Sequence, residues 1–498
     1  MTGPTARDDA PPAGAQSDPL GAGRLAPGEG PRRITPERLR ATAVAAQRGG
    51  ELDRAFTAWR AYLRLRPEDA GAWSNLGALF RAKSDHPAAV VCQRRANEAR
   101  PGNPAILNNL GNALQDADML DEALEVRRRV RGLAPDRPEP IAMLAITLRS
   151  LNRAREAAQI AAAGAARFPE DAELKLQHAL ALLTLGDYAR GLEAYDARWE
   201  AGEISRPDAP APWWNGEDIA GQRLLVLPEQ GFGDAMLMIR MLPALKARTG
   251  AKVLLAARPP LMRLFRNLAG VDALIPVDGP FPEVDAAVTM MDLPRLLDLR
   301  LDAMPPSPAL HVPADSISRA ARISRPFAGR LKVGVMWAGS TSFKGDHKRS
   351  VASDRFLPLA AIPGVQLFSL YNGPLLDWFR SSSDSAVILD ASGDDRDFAD
   401  CAAMIRDLDL VISVDSAAAH LSATLGTETW NLLAWSPYWI YGETGDTTPW
   451  HPTMRLVRQT APGDWDGVFA RVEAMLRDRA AEHAADAALN GGPARTAS

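Results

Sequence analysis

The chain has 498 residues, 46% of them hydrophobic and 24% charged, which is ordinary globular composition with room for about three domains. A net charge of −4, from 57 basic and 61 acidic side chains, argues against a nucleic-acid or membrane-surface protein, so any site for a polyanion must be local. Cys92 and Cys401 are the only cysteines, which argues against a disulfide framework and a cysteine zinc site.

Both ends of the chain are predicted to be disordered tails, at residues 1–33 and 481–498. The first of these is dominated by Pro, Gly, Ala and Asp and lacks the basic start and apolar core of a secretory signal. The sequence contains no uncharged apolar run of about 18 residues, so we expect no membrane span. A cytoplasmic location is the default expectation for such a chain.

The region from residue 34 to residue 205 repeats itself with a period of 34, most plainly in its prolines: Pro67, Pro101, Pro135 and Pro169. Small residues recur at one fixed offset, where two helices must touch: Gly77, Gly111, Ala145 and Ala179. Each unit has two apolar-periodic helices that cannot bury their own apolar stripes. Five units are therefore predicted to stack into a right-handed solenoid.

This pattern resembles tetratricopeptide repeats, a family whose concave face usually holds a peptide or a segment of another protein. The resemblance implies a protein partner, and in this family the first helix of each unit lines the concave face. Four asparagines on first helices can offer both a donor and an acceptor to a bound backbone: Asn75, Asn108, Asn109 and Asn112. The alternative, that they are merely solvated surface residues, stays open.

A linker is predicted at residues 206–222. Three prolines within Arg206-Pro-Asp-Ala-Pro-Ala-Pro-Trp-Trp214 break any helix, and we expect Trp213 and Trp214 to pack on the domain that follows.

Residues 223–325 are predicted to form a first α/β half. Arg223 to Pro228 has the composition of a buried strand, and Gly231-Phe-Gly-Asp234 turns directly into a helix from Ala235 to Arg248. The two glycines allow a sharp turn and close approach of another group. Further strands are expected at residues 252–256, 273–277 and 285–289.

Residues 326–480 are predicted to form a second α/β half. Its strands are expected at residues 332–337, 365–370, 386–390, 410–414, 428–433 and 455–457. Alternating strands and helices imply parallel sheets with right-handed crossovers, and ligands of such sheets bind at the carboxyl ends of the strands. Two such halves facing one another would leave a cleft for the site.

The stretch from Leu410 to Gly426 combines a buried strand, a tight turn and a helix. Asp415 and Ser416 are good N-cap residues, so the free amides of the helix start would point toward the carboxyl edge of the sheet and bind a phosphate. Alanines at positions 417–419 would keep that approach open. The alternative is that most strand–turn–helix units bind nothing, and that His420 is a packed or capping residue.

Four motifs in order resemble glycosyltransferases of the GT-B fold, above all heptosyltransferase-like family 9 enzymes that carry tetratricopeptide repeats, and more distantly the protein O-GlcNAc transferase. The motifs are Glu229-Gln-Gly-Phe-Gly-Asp234, Val335 to Ser350, Asp397-Phe-Ala-Asp400, and Ser413-Val-Asp-Ser416 with His420-Leu421. The resemblance implies an α plus α/β fold class, with an all-α tetratricopeptide solenoid followed by two Rossmann-like halves.

The resemblance also implies an activity: inverting, metal-independent transfer of a sugar from a nucleotide-sugar donor to a protein hydroxyl. The donor is a substrate, and no cofactor is expected. Flagellin is one acceptor that this family layout suggests. Two alternatives stay open: a lipopolysaccharide-type glycosyltransferase, and a non-catalytic tetratricopeptide scaffold with a nucleotide-binding domain.

The same resemblance assigns the site residues. Asp234 matches the catalytic base, although it could instead simply cap its helix, and Lys344 would stabilise the departing diphosphate. An exposed basic loop is the alternative for Lys344 and Arg349, and a solvated acidic turn is favoured over a metal pair for Asp394 and Asp395. No metal site is expected. The donor-binding residues are Gly231, Gly233, Ser340, Lys344, Arg349, Asp415, Ser416, Ala417, Ala418 and His420.

Overall fold

The structure is a computed structural model that describes residues 35–202, 204–340, 343 and 345–490. The predicted tail at residues 1–33 lies outside the described residues, as does Lys344. The chain divides into two compact units between Asp136 and Arg137. The domain boundary predicted at residue 205 therefore falls inside the second unit. Among the described helices, none combines the length and the apolar character needed to cross a membrane.

Five consecutive helix pairs confirm the predicted repeats, three in the first unit and two in the second. First helices begin within one residue of the 34-residue period, and the side chains of Thr35, Asp69 and Asn103 cap the first three by accepting backbone N–H bonds. The helices are α1 Pro36–Arg48, α2 Leu52–Leu65, α3 Ala70–Ala82, α4 His86–Ala99, α5 Pro104–Asp116, α6 Leu120–Leu133, α7 Glu139–Ser150, α8 Ala154–Arg167, α9 Ala172–Thr184 and α10 Tyr188–Ala194, followed by α11 Arg198–Ala201.

Two of the recurring glycines in the first unit make room for a polar side chain of the second helix in the same pair. A Cβ on Gly77 would lie 2.6 Å from Nε2 of Gln93, and one on Gly111 would lie 2.8 Å from Cζ of Arg127. Gln93 and Arg127 are 0% and 2% exposed. The predicted close contact at these small residues is therefore present, and it holds buried polar groups.

The first α/β half contains a four-stranded parallel sheet in the order β3-β2-β1-β4. Its strands are β1 Arg223–Leu227, β2 Lys252–Ala257, β3 Ala273–Pro276 and β4 Ala286–Thr289, and its α-helices are α12 Phe232–Met238, α13 Leu242–Thr249, α14 Leu293–Leu296 and α15 Ala314–Ser324. The helix predicted from Ala235 to Arg248 is interrupted by a 3₁₀ turn at Ile239–Met241. Pro243 lacks the N–H that would continue the α-helical ladder at this point.

The second half contains a six-stranded parallel sheet in the order β10-β9-β8-β5-β6-β7. Its strands are β5 Leu331–Met336, β6 Val365–Ser369, β7 Ile388–Asp390, β8 Leu410–Val414, β9 Thr429–Leu433 and β10 Met454–Arg458. Its α-helices are α16 Asp346–Arg349, α17 Leu357–Ala360, α18 Leu376–Ser381, α19 Phe398–Arg406, α20 Ala417–Thr424 and α21 Trp465–Asn490.

The last helix corrects the predicted C-terminal tail. Val468, Val472, Leu476 and Ala480 recur every four residues on α21 and are buried against the second sheet. The alanine-rich continuation keeps the helix intact to Asn490, because alanine has the highest helix propensity. Residues 481–490 are thus helical, and residues 491–498 lie outside the described part of the chain.

The predicted linker joins the first sheet. Trp213 forms a parallel bridge with Ala287, and the backbone N–H of Trp214 donates to the Ala287 carbonyl at 2.8 Å. Trp214 is buried, and Trp213 packs beside the outer face of this sheet. Both tryptophans therefore pack on the following domain, as predicted.

The last helix pair, α9 and α10, shares one hydrophobic core with both α/β halves. Much of this contact is made by residues Trp435 to Trp450, which we name the clamp segment. Asn152 Nδ2 donates to the Trp435 carbonyl at 2.5 Å, and Trp450 Nε1 donates to the Tyr188 hydroxyl at 2.6 Å. The second unit is therefore a single body in which repeats and sheets are packed together.

Candidate functional site

The Gly-rich turn after β1 lies directly against the start of α20, at the carboxyl ends of the two sheets. A Cβ on Gly233 would lie 2.7 Å from Cδ2 of His420 and 3.6 Å from Cα of Ala417. Only a residue without a side chain can occupy this position without displacing its neighbours. The structure thus brings together residues of both halves that the sequence assigned to one site.

Asp234 occupies the third position of α12, and its Oδ2 accepts the backbone N–H of Gly231 at 2.9 Å. It therefore caps the helix, which was the alternative interpretation of this residue. The pKa of Asp234 is raised to about 6, mainly by burial and to a smaller extent by the nearby charge of Asp415, while the Gly231 N–H and the Tyr438 hydroxyl oppose the rise. A carboxyl with this pKa can take up a proton near neutral pH.

Asp415 connects the turn after β8 to the loop after β5. Its Oδ1 accepts the Tyr441 hydroxyl at 2.9 Å, and its Oδ2 lies 3.8 Å from Nη1 of Arg349. Arg349 also donates from Nε to Asp346 Oδ1 at 3.1 Å, and its guanidinium lies 4.6 Å from the centre of the Phe343 ring. Arg349 is thus partly neutralised by two carboxylates, and it is not part of an open basic loop.

His420 is a packed residue with 5% exposure. Its Nδ1 lies 3.0 Å from Nε2 of His451, and its Nε2 lies 3.4 Å from the Tyr441 hydroxyl. Nδ1 of His451 in turn lies 3.5 Å from Nη2 of Arg240, a buried residue of the first half. Burial lowers the pKa of both histidines, and the Arg240 charge lowers both further. The pair is therefore neutral near pH 7, and the alternative of a packed histidine is the one observed.

The start of α20 packs closely against the Gly-rich turn. Ser416 caps the helix, its Oγ accepting the Ala419 N–H at 3.4 Å. Ala418 and Ala419 are 2% and 0% exposed, whereas Ala417, whose Cα would lie 3.6 Å from a Cβ on Gly233, is only partly buried. An open approach for a phosphate over alanines 417–419 stays a prediction.

The remaining predicted residues lie around this contact. Gly231 is exposed at the mouth of the turn, Ser340 is exposed in the loop after β5, and Lys344 lies outside the described residues. Asp394 pairs with Arg380 at 2.7 Å and Asp395 pairs with Arg319 at 2.6 Å, so both acidic residues serve in ion pairs. No cluster of three or more His, Cys, Asp or Glu suited to a metal occurs in the described ranges.

A buried ion cluster fixes the residue that begins the Gly-rich motif. Arg198 of α11 donates from Nε and Nη2 to the two oxygens of Glu229, both at 2.9 Å, and from Nη2 to Asp292 at 2.5 Å. Arg198 and Glu229 have side chains 2% and 1% exposed. Thr289 at the end of β4 donates to Glu229 at 2.8 Å. The last helix of the repeats thereby determines where the turn leading to Asp234 is placed.

The four asparagines belong to the first unit. Arg127 donates to the side-chain oxygens of Asn108 and Asn112. Asn109 donates from Nδ2 to Ser74 Oγ at 3.0 Å. The side chains of Asn108 and Asn112 therefore hold a buried arginine, a role that neither of the two interpretations of the sequence included. A role for these asparagines in binding a peptide stays a prediction.

Sequence reasoning missed five residues of the site: Arg240, Tyr438, Tyr441, His451 and Arg198. The signal that could have found three of them is the density of aromatic and histidine side chains between Trp435 and His451, unusual in a chain with 6% aromatic residues. Arg240 and Arg198 carry no comparable signal, because their partners are distant in sequence.

No protein-family model matches the chain. The chain is 27% identical to Protein FlbA of Caulobacter vibrioides over 464 residues, which cover 84% of this chain and 75% of FlbA. Among solved structures it is similar to the family 9 glycosyl transferase of Veillonella parvula, with 12% identity, 54% of this chain and 99% of that chain covered, and a TM-score of 0.43. It is also similar to YrrB, which is described as a TPR protein with an unusual peptide-binding site. The identity is 20%, the match covers 34% of this chain and 87% of YrrB, and the TM-score is 0.30. The similarity to FlbA therefore extends over most of this chain and three quarters of FlbA.

Proposed function

We propose that this chain is a glycosyltransferase that moves a sugar from a nucleotide-sugar donor to a protein hydroxyl. The observation that carries the proposal is the meeting of the Gly231 to Asp234 turn with the start of α20, where a Gly233 Cβ would lie 2.7 Å from His420. Ligands of parallel α/β sheets bind at the carboxyl ends of strands, and here two such ends face each other. A nucleotide-sugar can be held between them.

Asp234 is the proposed base. With a pKa of about 6 it is mostly ionised at pH 7, yet basic enough to accept a proton from an acceptor hydroxyl. As that O–H bond breaks, the acceptor oxygen bonds to the anomeric carbon of the sugar. The bond from this carbon to the diphosphate oxygen breaks, and its electron pair leaves with the diphosphate. Attack opposite the leaving group would invert the anomeric configuration.

The leaving diphosphate needs positive potential. The proposed sources are the backbone amides at the start of α20, Arg349 and Lys344, with Gly231 and Ser340 bordering the donor.

The proposed acceptor is a protein held by the repeats of the first unit. The last two helix pairs are already packed against the clamp segment, so they offer less free surface for a partner. Asn75 and Asn109 on α3 and α5 are partly exposed and are the proposed contacts to a bound backbone. Flagellin is one acceptor to be tested.

The test is a calorimetric titration of the full chain with UDP, GDP, ADP, CDP, dTDP and CMP, followed by turnover of the sugar donors of whichever nucleotide binds. Asp234→Asn should retain nucleotide affinity and lose transfer, whereas Asp302→Asn, at an exposed ion pair, should retain both. Binding of none of these nucleotides would reject the donor site. Full transfer by Asp234→Asn would remove Asp234 from the mechanism.

A nucleotide-binding scaffold without turnover is the second candidate. It is favoured by one observation: Arg349 already lies near two carboxylates, Asp346 and Asp415, which leaves less free positive charge for a departing diphosphate. The two candidates differ in one measurement. A scaffold would bind a nucleotide and leave its sugar donor intact in the presence of the acceptor protein.

A further inference from the structure

Five side chains form a hydrogen-bonded series from the first α/β half into the proposed site of the second. It runs from Arg240 through His451, His420 and Tyr441 to Asp415. The successive distances are 3.5 Å from Arg240 Nη2 to His451 Nδ1, 3.0 Å from His451 Nε2 to His420 Nδ1, 3.4 Å from His420 Nε2 to the Tyr441 hydroxyl, and 2.9 Å from that hydroxyl to Asp415 Oδ1. The first four side chains are buried.

The two ends of this series determine its direction. A guanidinium can only donate hydrogen bonds, and a carboxylate can only accept them. Nδ1 of His451 must therefore accept from Arg240, and the Tyr441 hydroxyl must donate to Asp415. Nη2 of Arg240 has two N–H groups and also donates to Ser307 Oγ at 3.0 Å, so the two bonds do not compete.

The two histidines complete the series in the same direction. Both rings are neutral near pH 7, because burial and the charge of Arg240 lower the pKa of each. A neutral imidazole has one N–H group and one acceptor nitrogen. His451 accepts at Nδ1, so its Nε2 carries the proton and donates to Nδ1 of His420. The proton of His420 is then on Nε2, which faces the Tyr441 oxygen and lies 3.9 Å from Asp415 Oδ1.

The reversed series would leave Asp415 without its hydrogen bond from Tyr441. With the proton of each histidine on Nδ1, the Tyr441 hydroxyl would have to donate to His420. The Nδ1–H group of His451 would also face an N–H group of Arg240, so two buried donors would meet without an acceptor between them. Unpaired buried donors are unfavourable, and Arg240 therefore excludes the reversed series.

We propose that Arg240 is a positioning residue for the donor site, which fixes the tautomers of both histidines and so holds the Tyr441 hydroxyl on Asp415. Tyr441 then orients Oδ1 of Asp415, while Oδ2 lies 3.8 Å from Nη1 of Arg349. Arg240 thus acts on the placement of Arg349 through the series. This role toward the departing diphosphate rests on the proposed function, whereas the direction of the hydrogen bonds does not.

The direction is tested in the full wild-type chain carrying isotope-labelled histidine. Proton–nitrogen correlation spectra of the imidazole rings at pH 7 distinguish the two tautomers among the seven histidines. His420→Asn and His451→Asn assign the signals, since each variant removes the signals of one ring. Both rings should carry their proton on Nε2. A proton on Nδ1 of either ring, or a charged ring, would overturn the proposal.

Arg240→Met tests the positioning role, because it removes the donor and keeps much of the side-chain volume. The Nδ1–H tautomer should appear in both histidines. The dissociation constant of the nucleotide that binds the wild type should rise about tenfold, the order expected for losing one hydrogen bond that orients a charged group. Arg300→Met is the matched control, since it removes an exposed arginine and should change neither tautomers nor affinity.

Unchanged tautomers in Arg240→Met would overturn the proposal, and so would changed tautomers with unchanged nucleotide affinity. The wild-type spectra test the direction even if Arg240→Met does not fold. The tautomers can be measured without any nucleotide, so the two proposals can fail separately. Wild-type rings with the proton on Nε2 in a chain that binds no nucleotide would support the direction of the series and reject the proposed function.

Discussion

Gly233 and His420 are in direct contact although 187 positions separate them in the sequence, and a methyl group on Gly233 would come within 2.7 Å of the imidazole. The contact is possible because glycine has no side chain, and it joins the two α/β halves at the proposed site. The His420 side chain has little freedom to move away, because His451 and Tyr441 are within hydrogen-bond distance of its two ring nitrogens.

Gly233→Ala should therefore destabilise the chain by about 1–3 kcal/mol, the usual cost of overpacking a filled interior. Urea unfolding measures this loss, and calorimetry should show altered affinity for the nucleotide that binds the wild type. Gly329→Ala is the control, since a Cβ there meets no atom within 4 Å. Equal stability of the two variants would show that the contact is looser than described.

Arg198→Met should lower the free energy of unfolding by about 3–5 kcal/mol, because it leaves the buried carboxylates of Glu229 and Asp292 unpaired. The matched control is Arg300→Met, which removes an arginine from the exposed pair with Asp302 and should change stability by less than about 1 kcal/mol. Urea unfolding of both variants provides the comparison. A similar small effect of both substitutions would contradict the structural role of the buried cluster.

The raised pKa of Asp234 predicts the direction of a pH effect. The folded state holds the proton up to about pH 6, against an ordinary value of 3.8, so this residue's stabilising contribution is complete at low pH. It is lost as the pH rises through about 6, because the folded state then has to carry a buried charge. Transfer activity should change in the opposite sense, rising through the same range as the base ionises.

Asp234→Asn should abolish the pH-dependent loss of stability that is due to this residue. The difference between the wild-type and variant unfolding curves isolates it, because Asp395, whose pKa burial raises to about 7, is present in both proteins. Parallel curves between pH 4 and pH 7 would show that the Asp234 carboxyl ionises as an ordinary surface group does.

Asn112→Ala should destabilise the chain by about 1–3 kcal/mol, because its side-chain oxygen accepts a bond from the buried Arg127. Asn75→Ala is the control: no side-chain hydrogen bond of Asn75 is found within the described residues, so its loss should have little effect on unfolding. Thermal unfolding of the two variants distinguishes them. If Asn112→Ala unfolds like the control, the Arg127 guanidinium has other partners that satisfy it.

The fold was predictable because its signals are local. Leu410 to Val414 is an apolar, β-branched run, and β8 has those same bounds. The repeats were equally clear, since their period can be read from the prolines alone. The 3₁₀ turn at Ile239–Met241 was not predicted, because the apolar pattern of the helix continues through it. Pro243 is the one sequence feature that disfavours a continuous α-helix there.

The site was predictable only in part. Gly233, Asp234, Asp415 and His420 were found through their motifs, and the structure brings them together. The aromatic-rich stretch that ends at His451 could have marked Tyr441 and His451 as candidates, but their partners Asp415 and His420 are set by tertiary contacts. The Arg198–Glu229 pair crosses from a repeat helix to a strand end. Such partners become visible only when the chain is folded.

The packing of the clamp segment against the last repeats has a practical consequence for protein engineering. A chimera that exchanges the whole repeat region at residue 205 would cut through a shared interior, removing Tyr188 and exposing its partners Trp439 and Trp450 to water. A better fusion point for a chimera is between Asp136 and Arg137, where the first compact unit ends and the second begins. Swapping only the portion before that junction would leave the shared interior of the second unit intact.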